Sequence, residues 1–135
     1  MLAGAHRLRS SVGFTRAVRR GVKRARPAVV VHAYDTARPT PTQVGFIVAK
    51  PVGNAVVRNR VKRRLRHLVA AYLATTPDGL EIVVRANTAA VTRPDRLSGD
   101  LQAAWTQALA AVAPAEGTVE GSVPSVRPTV GAVAS

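Results

Sequence analysis

Between Asn54 and Leu68 the chain places Arg58, Asn59, Arg60, Lys62, Arg63, Arg64 and Arg66 on one segment, with no acidic residue among them. Guanidinium and ammonium groups gathered this way do one kind of chemistry well: they neutralise phosphates, arginine through a planar fork of donors and lysine as a point charge. An isolated helix gains nothing from the arrangement. Arg58/Lys62, Lys62/Arg66 and Arg60/Arg64 are like-charge neighbours four residues apart, each costing about 0.2–0.5 kcal/mol. The run also begins about a turn from the expected helix start, where the macrodipole favours anions. A polyanion along this face reverses both penalties. A solvated cationic face is the plain alternative, and the missing acidic partners favour the polyanion.

The remaining inventory argues against a protein-borne catalytic centre. Hydrolysis of a phosphodiester by side chains calls for clustered carboxylates on metals or a paired histidine base and acid. The seven acids, Asp35, Asp78, Glu81, Asp95, Asp100, Glu116 and Glu120, are scattered, and no two have a metal-ligand spacing. His6, His32 and His67 form neither an HExxH nor a Cys/His pattern, so zinc is not expected. No P-loop or GxGxxG offers a nucleotide a home.

The cationic segment needs a helix to position it. On a helical wheel Val57, Val61, Leu65, Leu68 and Tyr72 share one arc, and neither Arg58 nor Arg60 falls on it. Asn54 is a fair N-cap, and the helix is expected to run to about Ala74 before Thr75-Thr76-Pro77-Asp78-Gly79 stops it. Upstream, Phe14, Ala17 and Val18 recur at helical spacing over 11–20, with Arg16, Arg19 and Arg20 on the other sides and Gly21 as the stop. Lys23, Arg24 and Arg26 read as a charged loop. Ala28–Tyr34 and Gln43–Ala49 read as two antiparallel strands joined by the proline-rich 38–42, with Gly45 a bulge or a close approach. Leu80–Arg85 is apolar enough to be a central strand, and strand, helix and strand in succession predict a βαβ crossover. Residues 86–91 read as linker, and Pro94 opens an amphipathic helix carrying Leu97, Leu101, Trp105, Leu109 and Val112.

These elements fit one α+β domain over 11–113, preceded by a basic arm at 1–10 and followed by a tail at 114–135 that lacks periodicity and is expected to be disordered. Charge is divided unevenly. Residues 1–67 carry a net +15 and residues 68–135 a net −2, which assigns the polyanionic partner to the first half. No apolar run approaches membrane-spanning length and there is no cysteine, so no membrane is expected and the cytoplasm is the expected location. With only two Phe, two Tyr and one Trp, an extended stacking platform is not expected, although Phe14 and Phe46 could offer a small one.

The run Gly53-Asn54-Ala55-Val56-Val57-Arg58-Asn59-Arg60-Val61-Lys62-Arg63-Arg64-Leu65-Arg66 resembles the RNR signature of the bacterial ribonuclease P protein subunit, and the order of elements over about residues 7–112 agrees with it. The resemblance implies an α/β sandwich with a sheet of about four strands in the order α-β-β-(β)-α-β-α. Its RNR helix would join two parallel strands by a left-handed crossover, against the usual hand. It implies an accessory subunit of an endonuclease, a hydrolase whose RNA cuts precursor tRNA with Mg²⁺ to free the mature 5′ end. The protein would dock on the catalytic RNA as a monomer in a 1:1 complex and hold the 5′ leader. By this resemblance Arg58, Asn59, Arg60, Lys62, Arg63, Arg64 and Arg66 face the catalytic RNA, Phe14, Val18, His32 and Lys50 contact the leader, and Arg16, Arg19 and Arg20 add basic contacts.

The chain departs from the pattern at several positions. Lys50-Pro51 stands where the family often has paired lysines, Val18 and His32 where aromatics are common, and Ala86-Asn87 where basic residues are frequent. Leader stacking is accordingly expected to rest more on Phe14 and on arginine charge. The other readings are a ribosomal or RNA-chaperone protein that supports no cleavage, a major-groove DNA binder and, last, a self-sufficient protein nuclease.

Overall fold

The structure, a computed structural model, describes residues 4–112. Helix α1 spans Ser11–Arg20, followed by strands β1 (Val22–Ala25), β2 (Val29–Asp35) and β3 (Gln43–Val48). Helix α2 (Ala55–Tyr72), strand β4 (Leu80–Ala86), the short helix α3 (Ala89–Thr92) and helix α4 (Pro94–Val112) complete the order. The four strands form one sheet in the order β1-β2-β4-β3. β2 is antiparallel to both β1 and β4, whereas β3 is parallel to β4, so α2 is the connection of a βαβ unit.

Three local expectations change. The fourth strand is β1, which takes up Lys23 and Arg24 from the segment read as a loop. β2 and β3 do run in opposite directions, but β4 lies between them and no ladder joins them. Residues 89–91 of the expected linker, with Thr92, form α3. The tail at 114–135 lies outside the described residues.

The buried faces explain these choices. Leu80, Ile82, Val84 and Ala86 of β4 join Val29, Val31 and Ala33 of β2 in a core that Val61, Leu65 and Val69 of α2 and Leu97, Leu101 and Trp105 of α4 close from above. Tyr72 and Trp105 meet with ring centroids 5.5 Å apart and planes tilted by 47°. On the opposite face Val83 packs with Ala17 of α1 and with Leu8, and Phe14, Tyr34 and Ile47 lie around them. β4 is thus covered on both sides, its α2-facing positions wholly apolar and its α1-facing positions mixed, with Val83 between Glu81 and Arg85.

Side chains fix the ends of these elements. Asn54 Oδ1 accepts the Val57 N–H at 3.0 Å and Ser10 Oγ accepts the Gly13 N–H at 3.3 Å, capping α2 and α1. The buried Asp100 carboxylate accepts the Ala28 N–H at 2.9 Å and ties α4 to the start of β2. Ahead of α1 the Leu8 N–H donates to Val44 O at 3.0 Å, so the arm runs beside the start of β3 with Leu8 buried.

Candidate nucleic-acid interface

Helix α2 presents its cations to solvent in two groups. Arg60, Arg63 and Arg64 are exposed beside Asn59, whereas Arg58, Lys62 and Arg66 are partly buried along the opposite flank. No carboxylate among the described residues forms an ion pair with any of the six; the ion pairs found there are Arg16–Glu81 and Arg93–Asp95. Lys62 and Arg66 border a groove of about 280 Å³ floored by Gly45 and Phe46 at the β3 edge. Arg60 and Arg64 border a second groove, of about 250 Å³, against α3 and α4, and Arg64 Nη1 donates to Pro94 O at 2.9 Å.

Arg58 does not keep clear of the apolar arc as the wheel predicts. Val69 is fully buried, which widens the arc, and Arg58 lies between Leu65 and Val69 on the wheel. Its Nε is buried without a hydrogen-bond partner. The aliphatic stem therefore packs as core while the charge is carried at the margin.

The leader-contact candidates converge only in part. Phe14 lies over Gly45, where an added Cβ would come within 2.2 Å of the ring, so the close approach expected at this glycine is by a side chain. The β3–β4 register runs unbroken from Gln43 to Val48, which rules out a bulge. Val83 pairs with Gly45 on one side and His32 on the other, so Phe14 and His32 flank it on one face. Val18, one turn after Phe14 on α1, is 40% exposed. Lys50 is exposed in a turn beyond the end of β3, roughly 15 Å along the strand direction from Gly45, and does not join this cluster.

His32 is 6% exposed and its Nδ1 has no hydrogen-bond partner. Burial, then the neighbouring charges of Lys23 and Arg85, hold its pKa below the usual histidine value. Lys23 and Arg85 are the cations beside His32 that sequence reasoning missed. Lys23 was hidden by the loop reading. Arg85 was legible from strand alternation, since it stands two residues after Val83 and so shares its face. Because the folded state binds a proton at His32 less readily than the unfolded chain, stability is retained at neutral pH and falls as the pH drops through about 6.5. Urea midpoints at about pH 7.5 and about pH 5.5 are expected to differ less in a His32→Phe variant than in the parent chain.

Arg16 is not available as a free basic contact. Its Nε and Nη2 donate to the two carboxylate oxygens of Glu81 at 2.7 Å each, and its guanidinium lies 5.6 Å from the Tyr34 ring centre. Hydrogen bonding to Glu81 raises its pKa. Arg19 and Arg20 on the same helix are exposed and make no ion pair with a described carboxylate. No group of three or more His, Asp or Glu side chains that could hold a metal ion is found among the described residues.

A mixed four-stranded sheet with a cationic crossover helix on one face and Phe14, His32, Lys23 and Arg85 on the other defines a small, strongly basic α+β protein. The family model for ribonuclease P matches residues 2–109. The chain belongs to the ribonuclease P protein family. It is 44% identical over 110 residues to the ribonuclease P protein component of Kocuria rhizophila, covering 81% of this chain and 96% of that one. With the protein component of Salinispora tropica it shares 46% over 129 residues, covering 82% and 95%. The Staphylococcus aureus RNase P protein superposes with a TM-score of 0.69 at 25% identity, over 77% of this chain and 95% of that one. The Thermotoga maritima protein shares the fold at a TM-score of 0.63 and 22% identity, over 72% and 92%.

Proposed function

We propose that this chain docks on the catalytic RNA of ribonuclease P through α2 and holds the 5′ leader of precursor tRNA in the cleft between α1 and the sheet. In this reading the RNA carries out the Mg²⁺-dependent cut that removes the leader. The protein supplies phosphate neutralisation and alignment, acting as one copy per RNA in the cytoplasm. The observation that carries it is the set of six cations on α2 for which the described residues hold no carboxylate partner. Phosphates gathered there would relieve the i,i+4 repulsion and suit the fork geometry of arginine. No helix among the described residues is long and apolar enough to cross a membrane. For the leader, Phe14 provides a ring for one base, with Lys23 and Arg85 beside His32 for its phosphates.

Mixing the full chain with the catalytic RNA and precursor tRNA at low Mg²⁺ tests the reading. Cleavage at the mature 5′ end is expected to be stimulated over RNA alone. RNA binding without stimulation would instead assign a binding-only role, and cleavage by the protein alone would assign a protein nuclease.

A further inference from the structure

The groove between α2 and the α3–α4 corner differs from the rest of the cationic surface in being apolar inside. Val57 and Val61 form one wall, Leu97 and Val91 the other, and Arg60 and Arg64 stand at the mouth. Val91 is 38% exposed, one of few large apolar side chains among the described residues to reach solvent to that degree. The two arginines are one helical turn apart, about 6 Å along the axis. Arg64 Nη1 donates to Pro94 O, which links the guanidinium to the α4 side of the groove. Asp95, the acid next to Pro94, is taken up by Arg93 at 3.4 Å, so it does not neutralise the mouth.

We propose that this groove receives a single unstacked nucleobase of the RNA that lies along α2, with the base against Val57 and Val91, the Arg64 guanidinium over its face, and Arg60 on an adjoining phosphate. The proposal rests on the docking of RNA on α2 proposed above. Charge complementarity selects the occupant. A peptide or a second copy of this basic chain would bring apolar surface without the phosphates that Arg60 and Arg64 call for, whereas a splayed nucleotide brings both a flat apolar face and an anion. The groove adds something a bare cationic helix lacks: it distinguishes an RNA with an unpaired nucleotide at this point from a continuous duplex, which keeps its bases stacked.

The test uses the full chain and the catalytic RNA. Val91→Asn keeps the charge and makes the wall polar, and Val91→Ile keeps it apolar; circular dichroism checks that both retain the parent helix content. Val91→Asn is expected to bind roughly tenfold more weakly with an unchanged salt dependence, while Val91→Ile binds like the parent. Chemical modification of RNA bases is expected to show one unpaired nucleotide protected by the parent and by Val91→Ile but not by Val91→Asn. Equal affinity and equal base protection for Val91→Asn, with binding still lost on removal of Arg60 and Arg63, would overturn the base pocket and leave the docking of RNA on α2 standing. Indifference to all of these substitutions would overturn both. Concentration-dependent self-association of the parent chain that Val91→Asn abolishes in sedimentation would overturn the proposal in favour of a second copy.

Discussion

Replacing Arg60, Arg63 and Arg64 together with glutamine is expected to weaken binding to the catalytic RNA by about a hundredfold, taking charge-assisted phosphate contacts at roughly 1 kcal/mol each. The slope of log K against log salt is expected to fall by about 2–3, since each neutralised phosphate contributes about 0.7 on single strands and about 0.9 on a duplex. The helix itself is expected to survive. All three side chains are exposed, and the change removes the Arg60/Arg64 repulsion, worth about 0.2–0.5 kcal/mol. The bond from Arg64 to Pro94 O is surface-exposed and its loss is small beside the RNA effect. Binding titrations across a salt series, with circular dichroism alongside, give the result. Loss of affinity with an unchanged slope would show that these residues act through shape and not through charge, and would count against the docking face.

Arg58 is left out of that set for a reason the wheel alone did not supply. Periodicity located the helix, its cap and its apolar stripe, but the width of the stripe depends on what packs over it. With Val69 fully buried, Arg58 has core on both sides, and its substitution would mix a packing loss with a charge loss. The same limit recurs elsewhere. Leu80–Arg85 was legible as the central strand because Leu80, Ile82, Val83 and Val84 make it mostly apolar, and α4 was legible because Leu97, Leu101 and Trp105 recur at helical spacing. β1 was not legible because an edge strand tolerates and even favours charge, so Lys23 and Arg24 look the same in a strand as in a loop. The order β1-β2-β4-β3 was not legible either: which strands pair is decided by chain segments about fifty residues apart, and no local pattern encodes that.

In the candidate site, residues that act along one helix could be read, and residues that act across the sheet could not. On α2 the positions outside the apolar stripe follow from spacing, Arg58 excepted. The pairing of Arg16 with Glu81 joins α1 to β4 and converts an apparent contact residue into an anchor for the helix that carries Phe14. Lys23, His32 and Arg85 come from three strands and meet only once β2 is placed between β1 and β4. Lys50, assigned by resemblance, lies apart from them. The charge beside His32 therefore comes from β1 and β4.

Gly45→Ala is expected to cost the leader as much as Phe14→Ala does. A Cβ on Gly45 would stand 2.2 Å from Phe14 Cζ, so the ring must swing off β3. Gly45 lies inside regular strand pairing and the atoms it would meet belong to the far end of a side chain, so the backbone has no need to move. The substitution is therefore a way to remove Phe14 from its station without removing it from the chain. If that ring stacks one leader base, losing it is worth about 1–3 kcal/mol, or roughly fivefold to more than a hundredfold in affinity for precursor tRNA carrying a leader. Affinity for the catalytic RNA is expected to fall less, since Phe14 and Gly45 meet only the Lys62 and Arg66 end of the α2 surface and leave Arg60, Arg63 and Arg64 untouched. The double variant supplies the decisive comparison: with the ring already gone, Gly45→Ala has nothing further to displace, and Phe14→Ala/Gly45→Ala should bind leader no more weakly than Phe14→Ala alone. Additive losses would mean that Gly45 acts through the strand itself, by admitting the leader backbone at the β3 edge, and that Phe14 serves the fold more than the RNA.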